Sequence, residues 1–589
     1  MSAEGLAAAL PLAIAIPISA AVLAPLVGRL SGRAALAVAV AGLGGSAAVL
    51  AAAAPTVFRG RVLVHYLSRT RPVAGRSLGI ALAADPFGMV FALAAAGVGL
   101  LLVAYAISEL ADLGGRELGT FACLFLLLDA GLVGTALTAD VVNLFVWFEV
   151  SALASYALTA FFLERPLALE AALKMVVVTS LASFAVFMGS ALLYDSAGGL
   201  NLAQLQRALA GPAVATTPLV ALGLLVGGYA TKAGLVPFHT WLPDAHTAAP
   251  GPVSALFSGL MVNLGIVACA RLAYLVFDRS SVPVLGLLTV LGVASGLVGA
   301  VMALFQDDLK RLLAFDTVSQ MGVLAVALGT GTSSGLAGAA YHLANHALFK
   351  SLLFLCAGAI VHTLGVDRLS EMGGLARRFP LLAAAFVVGV AAIVGVPPFN
   401  GYFSLALVHE GISEAGSPAV TVAVRLVELL TAAALARATW LAFFRPRAEA
   451  YDEACAMRPG MLAGLVGLGA LCAAFGLAAG PIVGRVAAPA ASGLLDRRAY
   501  ASALLDGGRA GGPLTVDALH PHFWAAGEMA ATAAVLVLGG LLAARVVRRG
   551  GAEPRPVAVL RALHNGSTND YAAYAMGGMV VVMAVLRFG

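Results

Sequence analysis

Glu149, Lys232, His342, His346 and Lys350 are ionisable side chains set inside stretches that are otherwise apolar, and so are Asp129, Lys174, Glu410, Arg425, Glu428 and Arg437. At the centre of a bilayer each costs roughly 2.5 kcal/mol or more. So many together argue for a polar interior. Acids and bases are mixed, which suits a relay in which each group is stabilised by an opposite neighbour and released when that neighbour moves. The chemistry these residue types support is proton transfer.

Lys232 lies in the stretch Thr231 to His246, TKAGLVPFHTWLPDAH, near the end of the apolar run from Pro218, and Pro237 and Pro243 break the backbone just beyond it. A lysine at membrane depth and a proline within a helix are tolerated where protein or trapped water satisfies them. The stretch is therefore read as a site, against the alternative of a snorkelling lysine at a helix end. Glu149, in ADVVNLFVWFEVSAL, needs a cationic partner or holds its proton at neutral pH. Lys232 is the natural candidate, with a purely structural ion pair as the alternative.

His342, His346 and Lys350 follow at steps of four in YHLANHALFKSLLFLCAG, so they project near one face of a helix over about 12 Å. Two histidines four apart can hold zinc, but no Glu, Asp or Cys nearby supplies a third ligand, so no metal site is expected. Histidine titrates near neutrality, which favours proton transfer; for His342 a satisfied core histidine is the alternative. The run IVGVPPFNGYFS, from Ile393 to Ser404, repeats the earlier break with Pro397, Pro398 and Gly401. Paired interrupted helices in two halves point to an internally repeated transporter with sites at the breaks.

The elements that must carry these groups are membrane helices. Of 589 residues 61% are hydrophobic and 11% charged, against about 25% charged in soluble domains; mean hydropathy is +0.96. Apolar runs long enough to span number about fourteen to sixteen, at 5–29, 34–57, 85–108, 117–138, 140–163, 169–194, 218–238, 252–277, 282–304, 312–330, 335–362, 380–403, 420–444, 460–484, 523–546 and 569–588. An all-α polytopic membrane protein follows, with no credible strands. The first run lacks the basic region of a secretory signal and is expected to remain as a span.

Arg and Lys in loops after odd-numbered spans, such as Arg116, Arg165, Lys310, Arg311, Arg445 and Arg447, place those loops in the cytoplasm and both termini outside. The loop with Arg59, Arg61, Arg69, Arg71 and Arg76 runs against that rule. The net charge of +5 is spread over loops, without the basic cluster that grips nucleic acid. Cys123, Cys269, Cys356, Cys455 and Cys472 stand far apart and read as packing residues. No glycine-rich phosphate loop follows a strand, so nucleotide hydrolysis within this chain is not expected. The segment 486–520, rich in Gly, Ala and Arg, reads as an interfacial joint before two last spans. Four regions are expected: 1–110, N-terminal helices; 111–280 and 281–445, two repeats, each with an interrupted helix; and 446–589, C-terminal helices with the joint.

WFEVSAL, TKAGLVPFHTWLPDAH, FQDDLKRLLAFDTVSQMG, NHALFKSLLFLCAG and VPPFNGYFS, in this order, resemble the antiporter-like subunits shared by Mrp-type sodium/proton antiporters, respiratory complex I and membrane-bound hydrogenases. The resemblance spans about 85 to 445 and is greatest to the Mrp D subunit or its hydrogenase-linked relatives. It implies a core of fourteen helices with two inverted five-helix bundles, each holding a half-channel. It further implies that Glu149 and Lys232 form an ion pair whose separation and approach moves a proton, and that His346 and Lys350 belong to a central axis between half-channels. Such subunits carry no cofactor and no redox centre, and work among partner subunits in the inner or plasma membrane, moving protons and, in Mrp assemblies, sodium.

Three positions depart from that pattern: Asn263 where relatives commonly have lysine, Leu405 where many carry the Lys or Glu of the outlet half-channel, and Asp316 where a small hydroxyl residue is usual. An apolar Leu405 cannot carry a proton, so either His409 or Glu410, one helical turn on, takes over, or the second half-channel is idle. On the inlet side Asp129 is a further candidate. Three functions remain open: a proton-translocating antiporter subunit, a proton pump within a redox-driven complex, and a scaffold copy that only packs against active subunits.

Overall fold

The computed structural model describes residues 2–588 except 68–69, 74, 212–213, 278, 280–281, 447–456, 507–518, 520–522 and 552. Arg69, Arg447, Cys455 and much of the 486–520 joint thus lie outside the described residues. With no water in hydrocarbon to satisfy the backbone, apolar runs of this length close their own hydrogen bonds as helices. Among the described residues, fourteen helices are long and apolar enough to cross a membrane. In chain order the helices used below are α1 (Ala3–Gly28), α2 (Gly32–Val57), α3 (Pro86–Glu109), α4 (Gly115–Leu137), α5 (Val141–Thr159), α6 (Pro166–Ala197), α7 (Thr216–Ala233), α8 (Trp241–Ala248), α9 (Gly251–Val276), α10 (Val284–Leu304), α11 (Leu309–Gly329), α12 (Ser333–Leu364), α13 (Pro380–Ile393), α14 (Asn400–Glu414), α15 (Pro418–Phe444), α16 (Pro459–Leu477), α17 (Ala526–Arg548), α18 (Arg555–Leu563) and α19 (Thr568–Phe588).

Polar residues between the runs stop and start the helices. The carboxylates of Asp85, Asp140 and Asp308 accept from Gly88, Asn143 and Arg311 backbone N–H groups at 2.8, 2.9 and 2.7 Å, satisfying donors that a helix start leaves open. Among the described residues, the one pair of strands that departs from an all-helical reading is a short antiparallel ribbon, β1 (Leu63–Tyr66) with β2 (Ala81–Ala84). Its alternation lasts only four residues inside an arginine-rich loop, too brief to stand out against long apolar runs.

The expected spans 218–238 and 380–403 are not continuous helices. The first is split into α7 and α8, with Gly234 left-handed at φ 68° and Trp241 Nε1 returning a hydrogen bond to the Thr231 carbonyl at 2.9 Å. Ser295 Oγ of α10 accepts from the Val236 N–H at 2.9 Å, so a neighbouring helix satisfies backbone freed by the break, as irregular structure at membrane depth requires. The second is split into α13 and α14 around Gly395 and Pro397–Pro398. Here Asn345 of α12 donates to the Asn400 carbonyl at 2.9 Å, and Asn400 Nδ2 donates back to Asn345 Oδ1 at 3.0 Å.

Helices α9, α11 and α12 are predominantly apolar and almost wholly buried, as expected of a bundle centre; their few charged side chains, Arg271, Asp316 and Lys350 among them, are buried with them. Helices α13 and α14, on either side of the second break, pack on α12, whereas α8, after the first break, packs on α6 and α11. Beyond α16 the chain crosses the outside of this bundle: α17 packs on α15, α18 reaches α10, and α19 lies against α6 and α7.

Candidate functional site: a buried polar axis between two broken helices

Lys232 occupies the last turn of α7, two residues before the left-handed glycine. It is fully buried, its Nζ lies 5.2 Å from the centre of the Phe148 ring, and it has no hydrogen-bond partner. Glu149, next to Phe148 on α5, is half-buried and accepts from Ser183 Oγ of α6. The two are electrostatic neighbours, as the sequence leads one to expect, but they do not close a salt bridge. The ammonium rests on an aromatic face, an interaction worth about 2 kcal/mol when desolvated, well short of the several kcal/mol that burying an ion costs. Lys232 is thus buried beside an opposite charge without being bonded to it.

The centre of the axis is α12. Lys350 Nζ lies 2.5 Å from Asp316 Oδ2 of α11 and donates to the Leu313 carbonyl at 3.0 Å, both side chains being inaccessible. Asp316 is therefore the counter-ion of Lys350; it stands out in sequence as an unusual residue, but its partner lies on another helix. One turn along α12, His346 has both ring nitrogens buried without a partner. His342 is satisfied, with Nδ1 3.0 Å from Ser404 Oγ and Nε2 3.0 Å from Gln320 Oε1. Asn263 donates to the Gly259 carbonyl at 2.8 Å and leaves Oδ1 unpartnered. His246 stacks on Phe354 with both nitrogens unpartnered.

At the second break Leu405 is buried, and the charge sits one turn along. His409 Nε2 lies 2.7 Å from Glu428 Oε1 of α15; the other oxygen of Glu428 meets Arg425 at 3.1 Å; and Arg425 reaches Glu528 of α17 at 2.5 Å. Leu405, Arg425, Glu428 and Glu528 line one cleft. Glu410 is half-buried at the next position. Arg437 donates to the Gln306 carbonyl at 2.7 Å and anchors a loop.

A polar cavity of about 830 Å³ opens beside the first break, and Glu109, Lys174, Asp244, Lys310, Arg311 and His564 are among its walls. Lys174 is held by Glu170 at 2.6 Å and Asp244 at 3.2 Å, and Asp244 also takes Arg311 at 2.9 Å. Asp244 belongs to the broken-helix stretch, so the cavity mouth is tied to the break. His564, in the turn between α18 and α19, places Nε2 2.8 Å from His239 Nε2 and Nδ1 2.8 Å from the Leu560 carbonyl. Burial holds His564 below the usual histidine range. Neither Lys310 nor His564 is marked by sequence, because both stand in short polar stretches that look like loop.

Asp129 is not brought to the axis. Its carboxylate is fully buried on α4 near Gly99 of α3, with no hydrogen-bond partner. A second ion pair, Arg271 with Asp85 at 2.7 Å, is buried among α3, α4 and α9, and Arg271 also donates to the Thr138 and Ala136 carbonyls. Bonded in this way through both terminal guanidinium nitrogens, it locks helix ends together. Among the described residues no group of three potential metal ligands assembles.

Residues 138–431, which hold both breaks and the α12 stripe, match the family described as NADH:quinone oxidoreductase/Mrp antiporter, TM. The N subunit of the NADH-quinone oxidoreductase of Desulforudis audaxviator is 37% identical over 386 residues, covering 65% of this chain and 75% of that protein. The D subunit of the Na(+)/H(+) antiporter of Alkalihalophilus pseudofirmus is 32% identical over 429 residues, covering 72% and 86%. Among solved structures, a chain of the Mrp complex from Dietzia sp. superposes with a TM-score of 0.77 at 28% identity, covering 86% of this chain and all of that one. The chain is a multi-pass membrane protein and belongs to the NADH:quinone oxidoreductase/Mrp antiporter family of membrane subunits.

Proposed function

We propose that this chain is the proton-translocating subunit of a multi-subunit, Mrp-type sodium/proton antiporter in the cell membrane, with regions 111–280 and 281–445 as two half-channel units. The observation that carries the proposal is Lys232, fully buried at a helix break, with no bonded partner and with Glu149 close by. A structural lysine would be paired; an unpaired one beside a movable carboxylate is suited to load and unload a proton. Lys174 and Asp244 at the cavity deliver the proton, Glu149 and Lys232 take it in, His346 and Lys350 with Asp316 pass it along α12, and His409 with Glu428 releases it. His342, bonded on both sides, positions the axis.

The redox-driven alternative rests on the likeness to an NADH-quinone oxidoreductase component; there the same residues would move protons while partner proteins performed the redox chemistry. Vesicles holding the whole complex separate the two. An imposed sodium gradient should acidify or alkalinise the lumen without added reductant. Proton movement that starts only on adding a quinone-linked reductant contradicts the antiporter assignment.

A further inference from the structure

Leu405 removes the titratable group that the outlet half-channel would be expected to have, yet a four-residue charge cluster stands beside it. Three members, His409, Glu428 and Arg425, come from α14 and α15. The fourth, Glu528, comes from α17, far outside the matched segment 138–431. We propose that Glu528 is a positioning residue of the outlet: by holding Arg425, it leaves Glu428 to serve His409 as the proton carrier that Leu405 cannot be. This rests on the proton-translocation reading above.

The charge count supports it. With His409 neutral, Glu428, Glu528 and Arg425 sum to one negative charge, and a proton arriving on His409 Nε2 brings the cluster to neutrality. Without the Glu528 charge, Arg425 and Glu428 already cancel, and the same proton leaves a net positive charge in a site that is largely buried. Burying uncompensated charge is strongly unfavourable, so His409 would decline it.

Helix dipole effects give a simpler reason for an acid in the first turn of α17, worth about 0.3–1 kcal/mol. That effect does not require the carboxylate to reach inward to Arg425 at 2.5 Å. The contact is also framed: Tyr402 and Phe403 of α14 pack against Phe523 and Trp524 just before α17, and the Tyr402 hydroxyl donates to the Phe523 carbonyl at 2.5 Å. The tail is thus fastened to the broken helix that carries His409.

The ionisable groups around His409 are Glu428 and Arg425 on α15, Glu528 on α17, Glu410 and Tyr402 on its own helix, and His342 on α12; Asp316 and Lys350 lie deeper, on α11 and α12. Of the other helices that touch α14, α13 contributes none and α16 only the Cys472 thiol.

The test measures proton movement against pH in vesicles containing the whole complex. Glu528→Gln should move the alkaline limb of the rate profile to lower pH by about one unit, the usual scale for losing one nearby charge. Glu528→Asp should restore it, and Thr532→Ala, on the same face of α17, should leave it in place. Arg425→Gln/Glu528→Gln keeps the net charge and should return the limb to its wild-type position. If Glu528→Gln does not assemble, the double variant carries the test, and an acid-shifted limb there overturns the proposal. An unmoved limb in assembled Glu528→Gln, or a rate lowered equally at every pH, also overturns it. Lys232→Ala in the same series separates the two readings: wild-type rates there would defeat proton translocation itself, whereas a dead Lys232→Ala with an unmoved Glu528→Gln limb defeats only the role of Glu528.

Discussion

Lys350 and Asp316 show how a single pair fixes what a residue can do. Removing one partner of a buried ion pair costs about 3–5 kcal/mol because a lone charge stays behind, whereas replacing both by apolar groups of similar volume is often neutral for stability. Asp316→Asn should therefore lower the melting temperature of the detergent-solubilised complex and abolish transport. Lys350→Met/Asp316→Leu should recover the melting temperature and still not transport; recovery of both would make the pair structural only. Asp129 stands at the other extreme. No polar group meets its carboxylate, and burying a neutral amide is far less unfavourable than burying an isolated carboxylate. Asp129→Asn should leave transport unchanged without lowering the melting temperature, and a loss of transport would return Asp129 to the path. In the sequence, depth in an apolar run marks Asp129, and departure from the family pattern marks Asp316. What separates them is the helix each one faces, and that depends on contacts between segments far apart in the chain.

At the scale of elements, the broken helices are legible because proline and glycine act locally: TKAGLVPF and GVPPFNGY announce their interruptions without reference to anything else. At the second break Gly401 sits so close to the Ala392 carbonyl that an added Cβ would collide with backbone. Gly401→Ala should thus destabilise the complex by about 1–3 kcal/mol, read as a lower melting temperature, and an unchanged melt would show that the break relaxes freely. The C-terminal helices are legible as spans but not as contributors to the site, since the sequence says nothing about which face of the bundle they cross. Their docking carries a pH signature. Burial holds His564 below the usual histidine range, so the docked tail binds fewer protons than a released one. Docking is complete above the ordinary value near 6.5 and weakens as pH falls below it. Hydrogen exchange across 555–567, corrected for intrinsic rates, should be faster at about pH 5.5 than at about pH 7.5, and His564→Gln should remove the difference. Equal protection at both pH values contradicts this.

Across the whole molecule the proposed proton course runs from the cavity of Lys174 and Asp244, past Lys232, along α12, to His409 and the α17 carboxylate. The apolar helices around it insulate that course, and the family relationship gives it a setting among transport and respiratory subunits. The account stands on Lys232 being a proton carrier in that course. The most direct measurement is cation-driven proton movement in inverted membrane vesicles from cells expressing the whole complex with Lys232→Ala, with assembly checked on native gels. Exchange falling to the level of vesicles that lack the complex, with assembly intact, is the predicted result; exchange retained at the wild-type rate would contradict it.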